Sequence, residues 1–301
     1  MEYERLEFEQ PVYGGVNVIR VGDTVLDTGH AAPVSRDAVR SELDGGRLAG
    51  VERVLLTHPH IDHVGGSETI ERLADLPHVV PLGATPVVHG FGDYLRRARG
   101  EMSRLLAGFD LVDDHWDAYF PLDEYHEERI GVERTLEDGD TVTLGGETLS
   151  VLHTPGHAEH HVALWHEGSG TLFSGDLVSE NDHFHYGPLY GDVRAYRDSL
   201  ERVRDLEPDR LVPMHGPEMP DAGTRIERSL SNVDRTADRL QTAAVDRGEC
   251  WARDLAREVL GASDAAEPFM TLITYEYLRY LEREGRLRFD VSGEGIRVFA
   301  D

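Results

Sequence analysis

The chain has 301 residues, 40% of them apolar, with three Trp, nine Phe and eleven Tyr, enough for one large domain or a domain plus a small appendix. No run approaches the ~18 apolar residues of a membrane span, the acidic start "MEYERLEFEQ" lacks a signal-peptide pattern, and a lone Cys250 excludes an intrachain disulfide or a cysteine-rich zinc finger, so a cytoplasmic setting is expected. The net charge of −27 comes from 57 acids against 30 basic residues, all of them Arg, which points to a surface adapted to high salt rather than to a cationic partner, with stability growing on addition of KCl.

In chain order, "VNVIRV" (16–21) and "TVLDTG" (24–29) flank Gly22-Asp23 as a hairpin. "SRDAVRSELDG" (35–45) predicts a helix with Ser35 as cap and Gly45 as stop. "VERVLLTH" (51–58) predicts a buried strand, "SETIERLADL" (67–76) a helix, and "HVVPLG" (78–83) and "PVVHG" (86–90) strands. Residues 91–130 interrupt this rhythm with mixed helix and loop. "TVTLGGETLSVLHT" (141–154) and "HVALWHEGSGTLFSGD" (161–176) predict two hairpins, "VRAYRDSLERVRDL" (193–206) an amphipathic helix and "RLVPMHG" (210–216) a short buried run. Strands on two sheets with helices outside them predict a layered α/β fold. From residue 224 three helices and a hairpin about "SGEG" predict a winged-helix-like module, giving a catalytic domain over 1–223 and a C-terminal module over 224–301.

The stretch "THPHIDHVGG" (57–66) packs His58, His60, Asp62 and His63 into six positions. Imidazole and carboxylate suit Zn²⁺. His58 and His60 share a face of an extended segment, whereas the adjacent Asp62 and His63 point elsewhere, so the pattern suggests two neighbouring metal positions rather than one cage. Gly65-Gly66 allow a tight backbone approach. Three more candidates stand at ends of predicted strands: His157 in "HTPGH", Asp176 in "FSGD" and His215 in "PMHGP". Each alone reads equally well as a loop or capping residue.

These four motifs, in this order and spacing, resemble the metallo-β-lactamase-fold hydrolases over roughly residues 12–217. The resemblance implies an α/β fold of the four-layer αββα type with a dinuclear site at one edge. It implies that His58, His60 and His157 hold one divalent ion, that Asp62, His63 and His215 hold the other, and that Asp176 bridges them. Zn²⁺ is the expected metal, with Fe or Mn as alternatives. The implied activity is attack by a dinuclear-zinc-bound hydroxide on a small ester, thioester or lactone, with Asp62 also orienting the nucleophile as a catalytic residue.

The branches that the resemblance leaves open include glyoxalase II-like thiolesterases, endoribonuclease-type phosphodiesterases and a persulfide dioxygenase holding one iron on His58, His157 and Asp176. A nucleic-acid partner is not favoured, because residues 226–301 carry 15 acidic against 11 basic side chains and phosphate binding wants a basic face. Packing on the catalytic domain or homodimer formation is the preferred role of that module. Within 91–130, a lid insertion would place Arg96, Arg97, Arg99 and Arg104 near an anionic small-molecule substrate, and Tyr94, Trp116, Tyr119 and Phe120 along an apolar wall. An amphipathic helix with a solvated basic face is the preferred reading of that segment. His183 and His185 read as peripheral loop residues.

Overall fold

The structure is a computed structural model that describes residues 1–11, 14–107, 125–180, 191–262, 267–292 and 295–300. Trp116, Tyr119, Phe120, His183 and His185 lie outside the described residues.

Two sheets face each other. The first has six strands in chain order: β1 (Glu4–Glu9), β2 (Gly15–Val21), β3 (Thr24–Leu26), β4 (Arg53–Leu55), β5 (His78–Pro81) and β6 (Val132–Leu136). Its first three strands are antiparallel and its last four run parallel. The second sheet has β7 (Thr141–Leu144), β8 (Glu147–His153), β9 (Val162–His166), β10 (Thr171–Gly175) and β11 (Arg210–Pro213), with only β10 and β11 parallel.

Strand periodicity sorts the core into layers. Ile19, Val21, Leu26, Leu55 and Val79 of the first sheet meet Leu149, Val151, Leu164, Phe173 and Val212 of the second in one cluster. Their alternating neighbours Val18, Val54, Val80, Leu152, Leu172 and Leu211 face outward into a second cluster shared with the helices. Each sheet is therefore apolar on both faces, and helices must cover the outer ones, which makes the fold an αβ/βα sandwich.

The helices on the way are α1 (Pro33–Leu43), α2 (Ile61–Thr69), α3 (Glu71–Ala74), α4 (Thr85–Val88), α5 (Phe91–Ala107) and α6 (Val193–Arg204). Three differ from expectation. Pro33 starts α1 two residues early, and Ser35 lies inside the helix, accepting from the His30 amide instead of capping. The stretch 86–90 is not a strand: Pro86 stands second in the single turn α4. The predicted helix 67–76 begins at Ile61, inside the histidine cluster, and breaks at Ile70 into α2 and α3. In α5, Phe91, Tyr94, Leu95, Met102 and Leu106 are buried while Arg96, Arg97 and Arg104 are exposed, Arg96 against Asp93. This is the amphipathic helix with a solvated basic face, and Tyr94 belongs to the core.

Beyond the sandwich come α7 (Ala222–Arg247), β12 (Glu249–Trp251), α8 (Ala252–Leu260), α9 (Glu267–Arg283), β13 (Arg288–Ser292) and β14 (Gly295–Phe299). The last hairpin gains β12 on its open edge, in the order β12-β14-β13. Arg283 pairs with Asp192 and Glu284 with Arg194 at the start of α6, so the end of α9 leans on the sandwich.

Glu68, near the end of α2, is wholly buried, and among the described residues neither carboxyl oxygen has a hydrogen-bond partner. Burial, reinforced by Glu127, pushes its carboxyl up to about 9. Folding therefore requires a proton there that the unfolded chain gives up near pH 4.5. The sign is definite: this group's contribution to stability is complete below about pH 4.5 and is lost as pH rises toward 9. Glu68→Gln is expected to flatten that slope and raise stability by on the order of 3 kcal/mol at pH 7. Denaturant melts of both proteins from pH 5 to 9 check this, and curves that stay parallel would contradict it.

Candidate metal centre

All seven metal-ligand candidates converge at one edge of the sandwich, beyond the C-terminal ends of β4, β8, β10 and β11. After β4 the chain runs extended to His60, which caps α2, its carbonyl accepting from the His63 and Val64 amides. Asp62 and His63 thus sit in the first helical turn, where a carboxylate is favoured by the helix dipole. The helix can start here because Gly65 and Gly66 pack backbone to backbone on residues 28–31: a Cβ on Gly65 would stand 2.2 Å from the Ala31 nitrogen, and one on Gly66 2.1 Å from the Thr28 oxygen.

Two groups of donor atoms result. His58 Nε2, His60 Nδ1 and His157 Nε2 meet at 3.0 Å (His60 to His157) and 3.1 Å (His157 to His58). Asp62, His63 and His215 form the second group, with His215 Nε2 3.2 Å from Asp62 and His63 Nε2 3.5 Å from it. Asp176 Oδ2 lies between them, 3.3 Å from His63, His157 and His215 and 3.8 Å from His58.

The back of each ring decides what its front can do. Asp27, buried at the end of β3 with φ +54, accepts from the Thr57 amide through Oδ1 (2.7 Å). Its Oδ2 accepts from the Thr57 hydroxyl (2.6 Å) and from His63 Nδ1 (2.8 Å). Because the Thr57 hydrogen goes to Asp27, its oxygen accepts from His58 Nδ1 at 3.0 Å. His215 Nδ1 likewise donates to the Gly15 carbonyl at 2.9 Å. With Nδ1 engaged in this way, His58, His63 and His215 all present Nε2 toward the cluster. Asp27, His58 and His63 could also be grouped as ligands, but both Asp27 oxygens are spent on orientation.

Burial holds His60 down to about 4 and, aided by His63 and His60, keeps His58 well below the ordinary imidazole range. Burial also opposes charge on His63 and His215. There Asp176, Asp62 and Asp27 outweigh it and raise His63 to about 10, and Asp176 and Asp62 raise His215. In Asp62 and Asp176 the upward push of burial loses to the neighbouring imidazoles, and both stay ionised. The cluster is thus rich in buried negative charge that draws protons onto His63 and His215. Among the described residues, His63 Nε2 and Asp176 Oδ1 are buried without hydrogen-bond partners. Converging imidazole nitrogens, excess carboxylate and orphaned donor atoms fit divalent cations.

The motif reading missed several supports. Asp27 and Thr57 are one, and the only local hint was an Asp ending a strand. Asn17 is another: it donates to the Pro213 and Gly216 carbonyls on either side of His215, at 2.9 and 2.8 Å. His161, neutral with its imidazole lowered to about 3 by burial and by His157, accepts from the Asp176 amide.

The sandwich and its donor set define a metallo-hydrolase with a dinuclear metal-binding site. The chain belongs to the metallo-beta-lactamase superfamily, whose sequence pattern matches residues 13–215. A probable metallo-hydrolase of Bacillus subtilis, YqjP, is 27% identical over 276 residues, covering 87% of this chain and 85% of that protein. A hydroxyacylglutathione hydrolase of Bdellovibrio bacteriovorus is 26% identical over 274 residues, 87% of each. The crystal structure of a metallo-beta-lactamase family protein from Thermus thermophilus superposes with a TM-score of 0.77 at 23% identity, over 99% of this chain and 98% of that one. Among the described residues no helix is long and apolar enough to cross a membrane.

Proposed function

We propose that this chain hydrolyses small ester, thioester or lactone substrates at a pair of divalent ions, most suitably Zn²⁺. In this reading His58, His60 and His157 hold one ion, Asp62, His63 and His215 hold the other, and Asp176 bridges them. The observation that carries it is the single Asp176 oxygen 3.3 Å from imidazoles of both groups. When bound, such ions lower the pKa of water and polarise a carbonyl oxygen. The protein's own part is orientation: Asp27 aims His63, Thr57 aims His58, and Gly15 aims His215. Asp62, 3.2 Å from His215, is placed to steady a nucleophile and take up its proton.

The similarity to a hydrolase of hydroxyacylglutathione, an acylated thiol, supports the thioester arm of this proposal. In the same reading residues 1–223 form the catalytic domain, residues 224–301 a winged-helix-like module packed on it, and the acidic, lysine-free surface an adaptation to high salt. Metal analysis of protein purified without added metal, followed by assays on a thioester panel and on single-stranded RNA, tests the function. Two zinc per chain with thioester turnover is the expected result. RNA cleavage without thioester turnover, or one iron per chain, would overturn it.

A further inference from the structure

His161 is wholly buried beneath the metal centre, its ring centroid 5.2 Å from that of His58 and 6.0 Å from that of His157. Both of its ring nitrogens are engaged. Nε2 accepts from the Asp176 amide at 3.0 Å, and Nδ1 lies 2.8 Å from the Thr154 hydroxyl. A ring whose Nε2 accepts from an amide must carry its hydrogen on Nδ1, so Nδ1 donates to Thr154. The backbone closes the same junction, with the Thr154 amide donating to the His161 carbonyl at 2.9 Å. On the other side Gly175, at φ +55, leaves room for the ring: a Cβ there would stand 2.3 Å from Nε2. The pairing of β10 with β11 slips between Phe173 and Gly175, at the point where the chain delivers Asp176.

One imidazole therefore ties together two segments that share no ladder at this point. These are the 154–161 loop that carries His157 and the turn that carries Asp176. We propose that His161 is a positioning residue of the metal centre: it is not a ligand, and it sets the placement of Asp176 relative to His157 through a neutral ring with fixed Nε2 acceptor and Nδ1 donor. The inference rests on the ligand roles proposed above for His157 and Asp176.

The test is Zn²⁺ affinity and stoichiometry, measured by competition with a chromophoric chelator. His161→Leu fills the space but leaves the buried Asp176 amide without an acceptor, and affinity should fall ~10–100-fold, as for other outer partners of metal ligands. His161→Gln, whose carbonyl can stand in for Nε2, should recover most of it. Thr154→Val removes only the hydroxyl partner of Nδ1 and should weaken binding less than His161→Leu; it decides the matter should His161→Leu fail to fold. Nitrogen-15 NMR of the wild-type histidines should show His161 as the Nδ1–H tautomer. Wild-type affinity in folded His161→Leu or in Thr154→Val, or an Nε2–H tautomer, would overturn the positioning role alone. A wild-type chain that binds no divalent ion would instead remove the dinuclear reading on which it rests.

Discussion

Asp176→Ala is expected to abolish turnover while leaving the sandwich folded. The loss should exceed the ~10–100-fold typical of outer partners of metal ligands, because a single oxygen of this side chain faces His63, His157 and His215 at 3.3 Å and His58 at 3.8 Å. Without it the two donor groups lose their shared member, and His63 and His215 lose the carboxylate that does most to offset their burial. The fold should persist, since Asp176 follows β10 and its side chain takes no part in the ladder or in either apolar cluster. Metal per chain, thioester kcat/KM and a thermal melt should be read on the same preparation. Near-normal rates in metal-loaded Asp176→Ala would sink the bridging role.

Gly66→Ala sets two known effects against each other. Alanine is favoured over glycine inside a helix by ~1 kcal/mol, so on propensity alone α2 should become more stable. Packing says the opposite: the new methyl would stand 2.1 Å from the Thr28 oxygen and 2.9 Å from its carbonyl carbon. Those atoms cannot swing aside. The Thr28 amide donates to the His63 carbonyl at 2.7 Å, and the Gly66 amide donates to the Gly29 carbonyl at 3.0 Å. Overpacking against softer neighbours already costs ~1–3 kcal/mol, and a backbone-on-backbone clash should lie at or above the top of that range. The expected outcome is a destabilised chain with less bound metal, because His63 moves with the helix. Denaturant melts check it, and a more stable variant would show that propensity wins.

The same contact explains what the sequence hid. The seven residues of the candidate site were legible because each stands in a short motif at the end of a strand, where side-chain type and spacing carry the chemistry. The start of α2 was not, because two consecutive glycines and an N-cap His60 with no side-chain capping bond argue against a helix locally, and only docking on residues 28–31 makes one. The stretch 86–90 misled for the opposite reason: two valines mimic a strand, and Pro86 at the first turn decides otherwise. The layering was readable from alternation, since Val18 and Ile19, or Val54 and Leu55, divide cleanly between the two apolar clusters. Asp27, Asn17 and His161 were not readable as supports. Asp27 acts on His63 from 36 positions away and Asn17 on the His215 loop from 196, distances that no local pattern encodes.

Because the site lies where the two sheets meet, it also has a thermodynamic side. His58, His60, Asp62 and His63 follow a strand of the six-stranded sheet, whereas His157, Asp176 and His215 follow strands of the five-stranded one. Under the proposed assignment each ion draws ligands from both halves, so each is a staple across the seam. Linkage then applies: a free ion at a thousand times its Kd adds about 4 kcal/mol to the folded state per site, against a net stability of only ~5–15 kcal/mol for a typical domain. A chain that has acquired its ions is held shut as well as made active, and one that has not opens more readily to proteolysis.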